Sequence, residues 1–349
     1  MLMIVEIILS FTIILFKSFI AYTAVIIVIT IIKNLITSVI ANRMYPYAFV
    51  KEKDDGISKE KLKELFKDCG ATFMFKMNTV VLNATDNLVL SSFIGIGIVG
   101  LYSNYLLFYI TIKTFANKVF SSFKASLGNI YASQDMKKCY FFFEVMNLLT
   151  IIIFGTACIG VALCADDLIY AWIGNDYLIA QPFSLLLGIE IFFVGIKLNL
   201  YQIRDVSGIF QKAWFRPIAS VIINIVVSVI LVQIIGIYGV LVGTIAADFL
   251  SNFLMDPVII YKYSFKNYTS VKYYYLKNAI YFIILFIVGM VNMEACKYII
   301  FENKWVTVIS HILIIALTVP TSIILIFHKK EECKYLLDLG KKSLKESRD

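Results

Sequence analysis

The sequence is poor in charged residues, proline and histidine. Charged residues make up 16% of its 349 positions, beside 5 prolines and 2 histidines, while hydrophobic residues make up 60%. A soluble domain of this length does not bury so much apolar surface, so the composition excludes a water-soluble globular protein. The net charge of +8 does not indicate a nucleic-acid partner, because the Lys and Arg residues are spread between apolar runs.

Motifs for catalysis and for cofactor binding are also absent. The six cysteines form no CxxC pair and have no histidine at ligand spacing, so we expect them to fill apolar space rather than bind metal. The sequence has no GxSxG motif and no phosphate-binding loop. We therefore predict no cofactor, no metal site and no enzyme. A membrane-embedded glycan polymerase needs a large basic outer loop, whereas the longest outer loop predicted here, 165–181, has no Lys, Arg or His.

Long apolar runs are what the sequence has instead. Runs of about 20 apolar residues, each enough to cross roughly 30 Å of hydrocarbon, recur along the chain. We therefore predict an all-α polytopic membrane protein with about ten transmembrane helices. The predicted spans are 1–16, which is short for a span, 18–41, 70–94, 100–123, 141–164, 182–203, 216–235, 238–261, 277–297 and 305–327.

The segments between these spans differ in charge and predict an orientation. One alternate set contains 24 Lys and Arg residues and the other contains 3. Because basic residues stay on the cytoplasmic side, we expect both termini in the cytoplasm. The hydrophilic segment 43–68 has a one-sided apolar pattern, which predicts an amphipathic helix on the membrane surface, attached to bilayer lipids. We expect the tail 328–349 to be a frayed amphipathic end on the same side.

Two neighbouring spans, within residues 71–132, carry polar residues at helical spacing. A charge at a helix centre in hydrocarbon costs about 2.5 to 3.5 kcal/mol, so such residues normally face a bundle interior or a water-filled cavity. We therefore expect this hairpin to form a cavity wall. The residues predicted to bind substrate are Lys76, Asn83, Asp86, Asn87, Tyr105, Tyr109, Lys113, Asn117 and Lys197. The carboxylates predicted as coupling-ion candidates are Asp86, Glu190 and Asp248.

Some of these charges have a second interpretation. Glu190, Lys197 and Arg204 recur every seven residues and share one helix face, and we expect the two cations to reach towards the cytoplasmic surface. The alternative to a transport role is a packing role. In that case Lys76–Asp86 and Lys113–Asp248 form pairs that only fix the contacts between helices.

The same region resembles a known family. The stretches NATDNLVLSSFIGIGIVGLYSNY (83–105) and SSFKASLGNIYAS (121–133) are similar to the seventh and eighth helices of the O-antigen and polysaccharide flippases, a branch of the MATE-like exporters. Further similar pieces are KNLITSVIANRMYPYAF (33–49), the WIG-x-x-Y-L pattern at 172–178, and residues 204–249. The resemblance implies fourteen helices in two six-helix lobes plus a terminal pair.

By that alignment this chain lacks the first four helices and part of the fifth, either as a fragment or through a start codon assigned too late. The alternative is a genuine short first helix. The implied domains are a remnant of the N-terminal lobe at 1–41, a cytoplasmic amphipathic linker at 42–69, a C-terminal six-helix lobe at 70–262, a terminal helix pair at 263–327 and a cytoplasmic tail at 328–349.

The resemblance implies a transporter that flips undecaprenyl-diphosphate-linked oligosaccharide to the outer leaflet of the bacterial cytoplasmic membrane. Its partners would be that glycan lipid and the glycosyltransferases and polymerase of the same pathway. Charge complementarity predicts that Lys76, Lys113 and Lys197 hold the pyrophosphate. Two alternatives stay open: a cation-coupled exporter of small molecules, with Asp86 or Asp248 as the cation site, and a non-functional remnant. The position of Asp248 is usually neutral in the family.

Overall fold

The computed structural model describes residues 19–46 and 58–346 of the chain. Every regular element within these ranges is helical. The helices are α1 (Phe19–Met44), α2 (Lys59–Phe93), α3 (Ile96–Ala132), α4 (Met136–Ile173), α5 (Phe183–Ser207), α6 (Phe215–Ile235), α7 (Ile237–Tyr263), α8 (Val271–Lys297), α9 (Lys304–Phe327) and α10 (Glu331–Glu346). Short 3₁₀ turns follow α4 at Asn175–Tyr177 and α5 at Ile209–Ala213.

Eight helices in the described ranges, α1 and α3 to α9, are long and apolar enough to cross a bilayer. This confirms the predicted class, a polytopic α-helical membrane protein. The first predicted span, 1–16, lies outside the described residues. The span predicted at 70–94 is helical as part of α2, but the polar residues between Lys76 and Asn87 lower its hydropathy below that of the other eight.

The predicted boundary between the linker and this span is not a break in the structure. Helix α2 begins at Lys59 and passes through Gly70 to Phe93. A glycine inside a helix costs about 1 kcal/mol. The flanking Lys, Glu and Leu residues favour helix, so the surface segment and the span become one element.

The chain divides into two compact units, one up to Leu62 and one from Lys63 onwards. In the first unit, α1 is an apolar helix with no fully buried residue along Thr23–Met44. The second unit has its core between α4 and α5, which pack along their lengths and against α3, α9 and the α6–α7 hairpin.

Small residues allow the closest helix contacts of the second unit. A Cβ added at Gly195 of α5 would overlap the Phe154 ring of α4, and one at Gly243 of α7 would overlap Ser228 of α6. Such small-residue faces let helix backbones approach closely in membranes. Gly236, with φ 61°, makes the turn that joins α6 to α7.

Helix α4 is longer than the predicted span 141–164 and shortens the predicted loop 165–181. It continues to Ile173 and ends at Gly174, whose φ is 100°. The reason is burial: Ile169, in the supposed loop, is fully buried against the core. Trp172 and Tyr177 of the WIG-x-x-Y-L pattern have exposed side chains.

The C-terminal tail is also more ordered than the expected frayed end. Helix α10 covers Glu331–Glu346. Cys333 is buried, and the Tyr335 ring lies 5.6 Å from that of Phe141 on α4. The apolar face of this amphipathic helix thus packs against α4, a contact that the sequence alone did not indicate.

Candidate substrate cavity

A cavity of about 730 Å³ lies among α2, α3, α5 and α7 of the second unit. Two of its walls come from the α2–α3 hairpin. The polar and charged residues that line it are Lys76, Asn78, Thr79, Asp86, Asn87, Tyr102, Tyr109, Lys113, Thr114, Asn117, Glu190, Lys197, Tyr201, Thr244 and Asp248. The polar stripes of both hairpin helices therefore face one partly open cavity.

Seven of the nine residues predicted to bind substrate line this cavity: Lys76, Asp86, Asn87, Tyr109, Lys113, Asn117 and Lys197. The three carboxylates predicted as coupling-ion candidates, Asp86, Glu190 and Asp248, line it as well. Asn83 lies on α2, and its side chain is outside what the structure describes. Tyr105 does not line the cavity.

Tyr105 is a structural clamp and not a cavity residue. Its hydroxyl donates to Asp166 of α4 at 2.7 Å and accepts from the Ile179 backbone N–H at 3.2 Å. Asp166 also accepts from Gln181 at 2.5 Å and from Ser184. The structure thus places Tyr105 outside the cavity that the other predicted residues line. Sequence did not indicate this contact, because Asp166 was assigned to a loop and belongs to the end of α4.

Lys197 and Asp248 form an ion pair in the cavity wall. The Lys197 Nζ lies 2.7 Å and 3.0 Å from the two carboxylate oxygens of Asp248. Asn252 donates to the same carboxylate at 2.6 Å. The pair suggested for Lys113 and Asp248 therefore does not form, and Asp248 has a different counter-ion.

Lys113 has no carboxylate within ion-pair distance in the described part of the chain. Its Nζ lies 3.4 Å from the Tyr109 hydroxyl and 5.2 Å from the centroid of that ring. Lys76, on the facing wall, likewise makes no ion pair with any described residue. Two cations of the cavity are thus without a counter-ion among the described residues.

Asp86 is held by hydroxyl groups and not by Lys76, so the second suggested pair does not form either. The Tyr102 hydroxyl donates to Asp86 at 3.4 Å, and the Thr244 hydroxyl lies 3.3 Å away. Glu190 is buried, and its Oε2 has no hydrogen-bond partner in the structure. A buried carboxylate oxygen without a partner is costly.

Sequence reasoning missed six of the fifteen polar and charged residues that line the cavity: Asn78, Thr79, Tyr102, Thr114, Tyr201 and Thr244. Two of them had a usable signal. Tyr201 lies one turn after Lys197, and Thr244 lies one turn before Asp248. Residues four positions apart share a helix face, so this spacing was a usable signal.

Arg204 does not extend to the membrane surface as expected. It is 5% exposed and lies between the rings of Phe75 and Tyr201, whose centroids are 4.0 Å and 3.9 Å from its guanidinium carbon. These ring contacts are favourable to a cation, but Nε and Nη1 of Arg204 make no hydrogen bond in the structure.

Comparison of this chain with protein families, with curated proteins and with solved structures finds no match. The cavity is therefore interpreted from its own chemistry. It offers to a ligand two cations without a counter-ion among the described residues, together with carboxylates, amides and hydroxyls. Three of its four helices, α3, α5 and α7, are long and apolar enough to cross a membrane.

Proposed function

We propose that this chain transports an oligosaccharide linked to a lipid diphosphate across the bacterial cytoplasmic membrane, as the resemblance of residues 83–133 to polysaccharide flippases implies. The observation that carries the proposal is the cavity of about 730 Å³ with Lys76 and Lys113 on facing walls, where neither has a counter-ion in the part of the chain that the structure describes. Cations in such a place are costly unless water or an anion accompanies them.

Lys76 and Lys113 lie in one half of the cavity, here called the basic half, which also contains the Lys197–Asp248 ion pair. Asp86 lies in the other half. Lys76 lies 18 residues before the turn at Ile94–Gly95, and Lys113 lies 18 residues after it. In an antiparallel hairpin these two cations are therefore at the same depth. Asp86 lies ten residues nearer the turn, about 15 Å along the helix at ~1.5 Å per residue.

This division suits an amphiphilic anion. A diphosphate carries at least two negative charges and binds best where ammonium groups are available in a medium of reduced dielectric constant. In the predicted orientation the basic half is nearer the cytoplasm, from which the lipid diphosphate would enter. The side chains of Asn87, Asn117 and Thr114 offer amides and a hydroxyl to the sugars. Movement of one helix group against another would then expose the site to each side in turn.

The test is a translocation assay with the purified chain in proteoliposomes. A fluorescent undecaprenyl-diphosphate oligosaccharide is placed in both leaflets, and a membrane-impermeant quencher is added outside. We expect the protected inner-leaflet fraction to become quenchable faster than in liposomes without protein. Equal rates in the two preparations would contradict the proposal.

A second candidate is a cation-coupled exporter of small molecules. It is favoured by the three carboxylates of the cavity, of which Glu190 has a buried oxygen without a partner. In that case a sodium or proton gradient should drive dye efflux from the same proteoliposomes, and Glu190→Gln should abolish it. Dye efflux without any lipid translocation would favour this function over the first.

A further inference from the structure

Arg204 is in an unusual environment for an arginine. It lies on α5, one turn after the cavity residue Tyr201, and its guanidinium is covered by Phe75 on one face and by Tyr201 on the other. Only 5% of the residue is exposed. Arg204 thus lies beyond Lys197 at the basic half of the cavity, but the Phe75 ring separates its guanidinium from the cavity.

Most donors of this guanidinium have no acceptor. Arg204 Nε and Nη1 are buried and make no hydrogen bond in the structure. Nη2 has its nearest carboxylate, that of Asp205, at 3.7 Å. Asp205 already accepts from Lys124 at 2.8 Å. A buried cation without hydrogen-bonded partners is unfavourable, so packing alone does not explain an arginine at this position.

Arg216 is nearby and shows what a structural arginine looks like in this protein. Its Nε and Nη2 donate to the two carboxylate oxygens of Asp256 at 2.9 Å and 2.8 Å. Nη2 also donates to the Tyr201 hydroxyl at 2.5 Å. This bidentate pair gives Arg216 a buried counter-ion, although its Nη1 also lacks a hydrogen-bond partner. Arg204, in contrast, has no carboxylate within hydrogen-bond distance, and both its Nε and its Nη1 lack a partner.

We propose that Arg204 is a phosphate-binding residue at the basic end of the cavity, and that Phe75 covers it in this conformation. The inference rests on the proposed function for its physiological ligand, a lipid-linked diphosphate. A guanidinium with free donors binds a phosphate group in a bidentate manner. The anion would replace the Phe75 ring on one side of the guanidinium.

Uncovering Arg204 requires a displacement of α2 alone. Near Phe75 this helix is held by side chains: the Phe75 ring lies 5.8 Å from that of Phe210, and Gln211 donates to Asp68 at 2.6 Å. Both contacts are with the short 3₁₀ turn after α5. Movement of α2 away from this turn would open a path from the helix ends to Arg204 and on to Lys197.

The test compares two variants of the same helix. Phe75→Ala removes the cover, while Phe73→Ala removes an exposed ring two residues away and serves as the matched control. Binding of inorganic pyrophosphate is measured by calorimetry with the full chain in phosphatidylcholine nanodiscs. If Phe75 covers Arg204 in most molecules, removing the Phe75 ring raises the apparent affinity for pyrophosphate. The factor equals the inverse of the fraction of molecules in which Arg204 is uncovered. We expect a gain of about tenfold or more for Phe75→Ala and none for Phe73→Ala.

The gain must also depend on Arg204. It should disappear in the double variant Phe75→Ala/Arg204→Gln. A gain that persists in the double variant, or equal binding by the two single variants with pyrophosphate and with undecaprenyl diphosphate alike, would overturn the proposal. Should Phe75→Ala fail to fold, Arg204→Gln alone gives the answer, because it should weaken pyrophosphate binding several-fold relative to the unchanged chain.

A second arm identifies the source of the phosphate. The same variants are titrated in nanodiscs that contain undecaprenyl diphosphate. If Phe75→Ala binds both pyrophosphate and undecaprenyl diphosphate more tightly, the diphosphate group alone is recognised. If it binds only the lipid more tightly, the site recognises a diphosphate headgroup presented at the membrane. Binding through Arg204 without lipid translocation would contradict the proposed function but not this site. Translocation and binding that are both unchanged in Arg204→Gln would contradict the site alone.

Discussion

Lys113 is the residue on which the electrostatics of the cavity depend most directly, since it lacks a counter-ion among the described residues and lies in a membrane span. We expect Lys113→Gln to lower the initial rate of lipid translocation about tenfold, because a hydrogen bond to a charged group contributes about 1.5 to 3 kcal/mol. Lys113→Arg should retain most of the rate. The proteoliposome quenching assay measures both.

Lys118→Gln is the matched control for this prediction. Lys118 lies on the same helix, is exposed and does not line the cavity. The variant should transport like the unchanged chain. Equal losses in the Lys113→Gln and Lys118→Gln variants would mean that general surface charge, and not the cavity cation, determines the rate.

The two arginines beyond the cavity predict opposite effects on stability. Arg216→Met leaves the buried Asp256 without its counter-ion, which costs about 3 to 5 kcal/mol, so the unfolding temperature should fall. Arg204→Met leaves no carboxylate unpaired, because Asp205 remains paired with Lys124. Its unfolding temperature should be unchanged or higher. Thermal unfolding in detergent compares them, and a loss for Arg204→Met as large as for Arg216→Met would contradict this account of Arg204.

Single residues also show how far the sequence could be interpreted. Helical spacing was enough to place Lys76 and Lys113 on the cavity wall. It was not enough to find the partner of Asp248, because the choice between Lys113 and Lys197 depends on how α3, α5 and α7 pack. Tyr105 was misplaced for a similar reason: its hydrogen bond to Asp166 depends on tertiary structure that local periodicity does not contain.

At the scale of helices, the α6–α7 hairpin depends on small residues at its contact. Gly243→Ala places a methyl group against Ser228, and overpacking of this kind costs about 1 to 3 kcal/mol. The variant should unfold at a lower temperature than the unchanged chain. Gly160→Ala is the control, because a Cβ at Gly160 of α4 meets nothing within 4 Å. A stability of Gly243→Ala equal to that of Gly160→Ala would show that this contact is looser than the structure indicates.

The docking of α10 is the contact between elements that should depend on pH. Glu332 accepts from Lys277 of α8 at 2.7 Å, and Lys277 also bonds Glu144 of α4. Burial acts to raise the pKa of Glu332, but the hydrogen bond from Lys277 outweighs it and the pKa lies below its ordinary value of 4.5. A lowered carboxyl pKa stabilises the docked state above about pH 4.5, and this stabilisation is lost as the pH falls through the lower value.

We therefore expect amide-exchange protection of α10, corrected for the intrinsic exchange rate, to be high at pH 6 and much lower at pH 3. Glu332→Gln should reduce the protection at pH 6. Glu331→Gln, at an exposed neighbouring carboxylate, should not change it. Protection of α10 that is independent of both pH and Glu332 would mean that the apolar contacts of Cys333 and Tyr335 hold the helix without the ion pair.

The helices themselves were the most predictable part of the fold. Apolar length alone located the eight candidate spans, because each must cover the hydrocarbon thickness. Their ends were less predictable. Helix α4 passes its predicted end by about nine residues, up to Ile173, because residues such as Ile169 are buried against neighbours that sequence does not name. Helix α2 contains both the end of the predicted linker and the predicted span, because no residue between Ser58 and Phe93, Gly70 included, ends the helix.

For the molecule as a whole, the central claim is that the charged residues of the spans face water and an anionic ligand rather than lipid. Two adjacent residues of α3 lie in these two different environments. Thr114 lines the cavity, whereas Phe115 is 62% exposed and lies outside it. Cysteine variants at these positions, in a chain whose six native cysteines are replaced by serine, report on the two environments with a single substitution each.

The most direct measurement is the rate at which a membrane-impermeant maleimide labels Thr114→Cys and Phe115→Cys in proteoliposomes, since the thiolate reacts only where water reaches it. We predict that Thr114→Cys is labelled readily, that undecaprenyl diphosphate slows this labelling, and that Phe115→Cys is not labelled. Equal rates at the two positions, or no labelling of Thr114→Cys from either side of the membrane, would contradict the existence of a water-filled cavity that accepts the lipid diphosphate.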